Sequence, residues 1–285
     1  MVLLLRFGTE FACQGMRARD VPRDKMQIQG KVALITGASE GIGAACVRVF
    51  EARGARLSIV ARNAERLAAV GGPGTLRTAG DITSEETRES LVARTIEQFG
   101  RIDILVNNAG MGLYAPAWKA PMADARRMFE LNLFAPLALT QLVTPHMRER
   151  KGGTIVNISS IAGKVTLPWF TLYSVSKFAL GSLTDGLRTE LKPDGIHVMA
   201  VCPGYVKTEF QAHALGTHPP EPIAKGRRFA ITAEECAEAV ARGVEREART
   251  VVVPRIGWLL VALSRLFPAT VESRLAAINQ SGASA

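Results

Sequence analysis

Cysteine and histidine are scarce in this chain. Among 285 residues there are four cysteines, Cys13, Cys46, Cys202 and Cys236, and four histidines, His146, His197, His213 and His218. The cysteine spacings are wide and match neither a zinc site nor a redox pair. The histidines form no ligand pattern, so no metal is expected. Cys46 and Cys202 lie in apolar segments and read as small core residues. Few cysteines and no disulfide framework suit a reducing compartment, and a cytoplasmic location is expected. His213 and His218 read as solvated loop side chains, with substrate contact as the alternative.

Long runs of one character are lacking too. The net charge is +9, from 35 basic against 26 acidic residues. The arginines are scattered, with no aromatic-interleaved basic stripe, so nucleic-acid binding is not expected. An anionic cofactor or a weakly basic surface accounts for the charge. The N-terminal apolar stretch "MVLLLRF" is too short for a secretory signal and no basic segment precedes it. Residues 1–27 are expected to form a disordered extension, with a short amphipathic anchor as the alternative. The segment "IGWLLVALSRLF" (256–267) is interrupted by Arg265, ends before Pro268, and is too short to span a bilayer. Within the tail 256–285 it is expected to pack on the domain or at a subunit interface, with weak membrane-surface contact as the alternative.

Between these ends, strand-like and helix-like segments alternate. "KVALIT" (31–36) is short and nearly all apolar, as a strand buried on both faces of a parallel sheet must be. "IGAACVRVFEARG" (42–54) has helical spacing and ends on Gly54, a helix C′ residue. Strands follow at 55–60, 75–79, 102–108, 153–160, 196–204 and 250–254. Helices are expected at 63–70, 84–100, from about 122 to 150, from Thr171 to about Leu191, and near 232–247. Thr83, with Glu86 three residues later, fits a capping box for the helix at 84–100. Residues 205–230 lack periodicity and contain Pro219, Pro220 and Pro222, which reads as a loop or lid. The alternation predicts one α/β domain over 28–255, a Rossmann-like doubly wound parallel sheet with helices on both faces.

"TGASEGIG" (36–43) follows the first strand and opens the first helix. Gly37 permits the sharp exit, while Gly41 and Gly43 allow close backbone approach. A helix N-terminus offers free N–H groups and partial positive charge to a pyrophosphate. The strand–turn–helix context makes this a dinucleotide site. At the end of the second strand stand Ala61 and Arg62, where NAD sites carry a carboxylate. A guanidinium there pairs with a 2′-phosphate, so NADP(H) is the expected cofactor and NAD(H) the alternative. Glu40 in the glycine loop runs mildly against this.

"TLYSVSKFAL" (171–180) places Tyr173 and Lys177 four residues apart on one helical face. A phenol with a pKa of about 10 is a poor base near neutrality, and a nearby cation favours its ionised form.

Taken together, "TGASEGIG", "NNAG" (107–110), "NISS" (157–160), "YSVSK" (173–177) and "PG" (203–204) resemble the short-chain dehydrogenase/reductase family over about residues 28–255. The resemblance implies a general acid/base at Tyr173. It implies that Lys177 lowers the tyrosine pKa and holds the nicotinamide ribose, and that Ser160 orients a substrate carbonyl. Ser160, thirteen residues before Tyr173, has the family spacing, which adjacent Ser159 lacks. Asn132 in "LNLF" matches the asparagine that completes a proton relay through water. In the glycine loop, Gly37, Ser39, Glu40, Gly41, Ile42 and Gly43 match cofactor-binding positions. Asp81 and Ile82 match residues beside the adenine, and Asn108 lies near the ribose. Val206 and Thr208 match contacts to the nicotinamide amide and phosphate region. Homodimers or homotetramers built through the Tyr–Lys helix are implied as well.

Leu113, Tyr114, Val165, Leu167, Phe170, Tyr205 and Phe210 flank these residues and are the pocket candidates. They suggest a hydrophobic ketone, aldehyde or alcohol as substrate. A 3-oxoacyl carrier protein reductase is the alternative enzyme. A non-catalytic NADPH-binding sensor or scaffold is the alternative of another class.

Overall fold

A computed structural model describes residues 26–217 and 230–280. Seven strands form one parallel sheet in the order β3-β2-β1-β4-β6-β7-β9. They are β1 (Val32–Thr36), β2 (Arg56–Ala61), β3 (Leu76–Ala79), β4 (Ile104–Asn107), β6 (Gly153–Ile158), β7 (Ile196–Pro203) and β9 (Thr250–Val253). Each lies at its expected position. The central strands are buried on both faces, as their unbroken apolar runs require. β1 pairs with β2 on one side and β4 on the other, with Ile35 opposite both Ile59 and Val106. Strand order reverses between β1 and β4. In an open parallel sheet the crevice for a ligand lies beyond the strand ends at such a reversal.

Helices cover both faces. On one side α1 (Gly41–Ala52) and α7 (Ala233–Glu245) pack Phe50, Val47 and Val240 onto Ile35, Ile59 and Val201. On the other lie α3 (Glu85–Phe99), α4 (Met122–Phe129), α5 (Ala135–Glu149) and α6 (Thr171–Glu190). Their core includes Leu91, Met128, Leu139 and Val143 against Leu34, Leu105 and Ile155. A short α2 (Ala64–Ala68) follows β2, with Asn63 at its N-cap. Gly54, with φ of 77°, follows the α1 C-cap as expected.

The details depart from expectation in four places. The α3 N-cap is Ser84, whose side chain accepts from the Thr87 N–H at 3.3 Å, and not Thr83. Thr83 is spent on Asp81, whose Oδ1 accepts from its N–H at 2.9 Å and its hydroxyl at 2.8 Å. The helix expected from 122 to 150 is broken by a π-turn at Glu130–Phe134. A two-stranded parallel pair, β5 (Leu113–Tyr114) with β8 (Leu215–Gly216), ties the loop after β4 to the loop after β7. Strands of two residues leave no periodic signal. Fourth, the C-terminal segment forms two helices, α8 (Gly257–Leu266) and α9 (Pro268–Gln280). Only Val261 of α8 is buried.

Of the expected extension, residues 1–25 lie outside the described residues, while Met26 packs against the core and Ile28 is buried in it. Of the expected lid, residues 218–229, with Pro219, Pro220, Pro222 and His218, also lie outside the described residues. The described part holds a 3-10 turn at Glu209–Gln211. No described helix is long and apolar enough to cross a membrane.

Candidate active site

A cavity of about 1250 Å³ opens along the C-terminal ends of β1, β2, β4, β6 and β7. One end is the glycine turn. Gly37 and Gly41 have φ of 63° and 55°, the left-handed region that side chains resist. Gly43 is required for space: a Cβ there would sit 2.1 Å from the Gly37 carbonyl oxygen. Asn108 fastens this turn from β4, donating through Nδ2 to the carbonyls of Thr36 and Gly37 at 2.9 and 3.1 Å. The Thr36 hydroxyl accepts from the Asn108 and Ala109 N–H groups. Glu40, the α1 N-cap, makes no side-chain cap bond. The first N–H groups of α1 therefore stay available to an anion.

Glu40 is committed elsewhere. Its Oε2 accepts from Arg66 at 2.5 Å, and its Oε1 lies 2.9 Å from His213 Nδ1. His213, expected as a solvated loop side chain, thus contacts the glycine loop. Arg62 and Arg66 both line the cavity beside Ala61, with Asp81 and Ile82 on the neighbouring loop. Ser39, Ile42, Val206 and Thr208 complete that end. Thr208 lies against Gly41, and Val206 bridges to Ile231.

The other end holds the Tyr–Lys helix. A buried polar chain fixes α6 to the sheet. Asn107 Nδ2 donates to Asn157 Oδ1 at 2.9 Å, Asn157 Nδ2 donates to the Thr184 hydroxyl at 2.9 Å, and that hydroxyl donates to the Leu180 carbonyl at 2.6 Å. Tyr173 is buried at the cavity wall with its ring 4.3 Å from Phe170 and 5.8 Å from Phe210, between centroids. Tyr114 stacks on Phe170 at 4.4 Å. Burial pushes the Tyr173 phenol up from its ordinary pKa, and a hydrogen bond with Ser160 pulls it back. Lys177 is also buried, its Nζ donating to the Ile158 carbonyl at 2.9 Å and lying 5.7 Å from the Tyr173 ring. Burial pulls its pKa down to about 8. Desolvation thus opposes ionisation of both groups in the cofactor-free chain, whereas the sequence stressed the cation's help to the phenol.

Geometry separates the two serines. The Ser159 hydroxyl is committed to the Lys177 carbonyl, to which it donates at 3.1 Å. Ser160 caps the 3-10 turn Ile161–Gly163, accepting from the Ala162 N–H at 3.1 Å, and reaches the Tyr173 phenol. Asn132 sits in the π-turn, fully buried. Its Oδ1 accepts from the Met111 N–H and its Nδ2 donates to the Met111 carbonyl, both at 2.9 Å. Nδ2 also donates to Ser176 at 3.1 Å. The side chain therefore ties the β4 loop to α6. Gly110 lies between Asn132 and Lys177, where a Cβ would come 3.4 Å from Nζ.

Of the pocket candidates, Tyr114, Leu167, Phe170, Tyr205 and Phe210 line the cavity. Leu113 and Val165 do not: both are buried in packing. Met111, Leu215 and Leu275 line it unforeseen. Leu275 comes from α9, which no motif marks.

A glycine turn opening a helix at one end of the cavity and a buried Tyr–Lys–Ser group at the other suit a nicotinamide dinucleotide enzyme. Comparison with known proteins agrees. Residues 31–217 match the short chain dehydrogenase family. The "Dehydrogenase/reductase SDR family member 7B" of Danio rerio is 33% identical over 262 residues, spanning 87% of this chain and 85% of that protein. A short chain dehydrogenase from Burkholderia cenocepacia J2315, solved in complex with NADP, superposes with a TM-score of 0.75 at 31% identity, covering 88% of this chain and 99% of that one. The 3-ketoacyl-(acyl-carrier-protein) reductase of Brucella melitensis, complexed with NADH, gives 0.73 at 28% identity, covering 79% and 97%. The chain belongs to the short-chain dehydrogenase/reductase family and is an NAD(P)-dependent oxidoreductase.

Proposed function

We propose that the protein is an NADP(H)-dependent oxidoreductase that interconverts a carbonyl and an alcohol on a hydrophobic small molecule, with Tyr173 as general acid/base. The observation that carries this is the Tyr173 phenol, in hydrogen-bond reach of Ser160 and set among Phe170, Phe210 and Tyr114.

The residues present fit a dinucleotide. Gly37, Gly41 and Gly43 leave backbone open to a pyrophosphate, with Ser39, Ile42 and Thr208 around it. In this reading Arg62 pairs with a 2′-phosphate, Asp81 and Ile82 lie beside the adenine, Asn108 near a ribose and Val206 by the nicotinamide amide, and all of them line the cavity. When bound, the nicotinamide supplies or accepts the hydride. In the reductive direction Ser160 donates a hydrogen bond to the carbonyl oxygen as negative charge develops there. Tyr173 gives its proton to that oxygen, and in the oxidative direction takes it back. Lys177 holds positive charge beneath the phenol and lowers the cost of its ionisation. Asn132 keeps Met111 and Ser176 in place around this group, a positioning role.

The aromatic and aliphatic lining favours an apolar substrate. The resemblance to a 3-ketoacyl carrier protein reductase and the net charge of +9 favour a second reading, reduction of a carrier-bound acyl chain. Exposed Phe134, Val175 and Phe178, on the π-turn and α6, support assembly of a homodimer or homotetramer through these helices. The three cysteines among the described residues, Cys46, Cys202 and Cys236, are buried free thiols, which supports a reducing, cytoplasmic setting.

Following NADPH oxidation with a panel of hydrophobic carbonyls and a 3-oxoacyl thioester tests the reading. Turnover that Tyr173→Phe abolishes, with NADPH still bound, is expected. Tight NADPH binding without turnover of any substrate would support a sensor or scaffold instead.

A further inference from the structure

The C-terminal helix α8 is apolar on nearly every side and barely covered. Leu259, Leu266 and Phe267 are 56%, 71% and 56% exposed, and Trp258, Leu260 and Leu263 are exposed as well. The helix touches the body through Val261 and through Gly257, whose α-carbon faces Val252 and Ile161. An apolar surface of this kind is a place of interaction, since isolated exposed leucines are common but a continuous helix of them is not.

Its charges point to one occupant. Exposed Arg255 precedes α8, exposed Arg265 lies in its last turn, Arg274 follows on α9, and α8 itself contains no acidic residue. A second copy would offer one exposed carboxylate, Glu272 of α9, against the three guanidiniums of Arg255, Arg265 and Arg274, and would leave positive charge unpaired across the contact. An anionic bilayer supplies both an apolar layer for Trp258, Leu259 and Leu263 and negative headgroups for the arginines. Ten residues are too few to span a bilayer, so a helix of this length would lie in its interface. The position has a consequence for the reaction. Leu275 of α9, the helix that follows α8 directly, lines the catalytic cavity.

We propose that α8 and the adjoining α9 form a docking surface for anionic phospholipid that sets the mouth of the catalytic cavity against the bilayer. Apolar substrate dissolved in the membrane then enters without crossing water, a step that rests on the hydrophobic-substrate reading above.

The test uses the full chain and sedimentation with vesicles of phosphatidylcholine alone or mixed with phosphatidylserine. Binding to the anionic vesicles, weakened by salt, is expected. A Leu259→Glu/Leu263→Glu double variant is expected to lose about tenfold or more in vesicle partitioning. The same variant should still bind NADPH and reduce a short water-soluble carbonyl, because neither leucine touches the cavity. If it fails to fold, the milder Leu259→Gln/Leu263→Gln pair serves in its place, with a smaller loss of the same sign. Absence of vesicle binding in the wild type overturns the proposal. Unchanged binding in the folded variant overturns it too, since the lipid contact then lies elsewhere on the chain. Gel filtration showing that the variant falls from oligomer to monomer also overturns it, by assigning the face to a second copy. Vesicle binding without turnover of any carbonyl would leave the docking surface standing and refute the catalytic reading.

Discussion

Glu40 and Arg66 form an ion pair at 2.5 Å at the glycine-loop end of the cavity, and His213 shares the same carboxylate. The pairing bears on a tension in the sequence. A carboxylate in the glycine loop would repel a 2′-phosphate, yet here its charge is answered by a guanidinium that itself lines the cavity. Arg62 and Arg66 then outnumber Glu40 at the place where the phosphate would sit. Arg62→Ala is expected to weaken NADPH binding by about tenfold or more while leaving NADH nearly unchanged, the scale of a lost charge-assisted pair. Arg66→Ala should act in the same direction, because it both removes a cation and frees Glu40. Calorimetric titration of both cofactors decides it; equal effects on NADPH and NADH for Arg62→Ala would remove the basis for preferring NADP(H).

Two adjacent serines should behave differently. Ser160→Ala removes a donor aimed at developing charge, and a fall in kcat of about 10²–10³ is expected. Ser159→Ala removes a bond to the Lys177 carbonyl and a contact with the Cys202 thiol, so its effect should fall on stability, about 1 kcal/mol. Steady-state kinetics beside thermal melts separate the two. Equal losses of kcat would mean that the choice of Ser160 is unfounded.

Gly43 offers a packing prediction. An added Cβ would meet the Gly37 carbonyl oxygen at 2.1 Å and Asn108 Nδ2 at 2.5 Å, both parts of the turn itself. Gly43→Ala must therefore open the turn and break the bonds from Asn108. A drop in melting temperature together with loss of NADPH binding is expected, and a variant that binds NADPH normally would show that the turn has slack. Gly181→Ala, where a Cβ meets nothing within 4 Å, is the matched control and should be neutral or stabilising.

The strands were readable because each is a short buried apolar run, and the glycine turn because φ and close approach admit few alternatives. Tyr173 and Lys177 were readable because a helix brings positions four apart onto one face. What escaped depends on contacts between distant segments. The π-turn at Asn132 has ordinary helical sequence on both sides and shows itself only through the Met111 and Ser176 bonds. Thr83 and Ser84 are both competent caps, and Asp81 decides between them by claiming Thr83. Leu275 joins the cavity through the path of α9, and Leu113 leaves it through its side of β5. Neither path is written in local periodicity.

Lys177 gives a prediction whose sign can be worked through. Its folded pKa of about 8 lies below that of a lysine in the unfolded chain, about 10.4. Below pH 8 both states carry the proton, and the folded state bears the full cost of a buried ammonium, on the order of 3 kcal/mol. Between about 8 and 10 the unfolded chain holds more protons than the folded one, so this group makes stability rise with pH. Tyr173 works the other way, because its raised folded pKa means the unfolded phenol ionises first, and its effect begins near pH 10. The informative window is therefore pH 7 to about 9.5. Lys177→Met removes the buried charge and leaves the Ile158 carbonyl without its donor, a loss of about 1 kcal/mol that does not vary with pH. In cofactor-free protein the variant should be most favourable relative to wild type at pH 7, and the balance should move towards wild type as pH climbs. Denaturant unfolding at several pH values measures the difference directly. A gap that stays constant across the window would show that Lys177 keeps an ordinary pKa, and that the pocket around Tyr173 is wetter than its buried side chains imply.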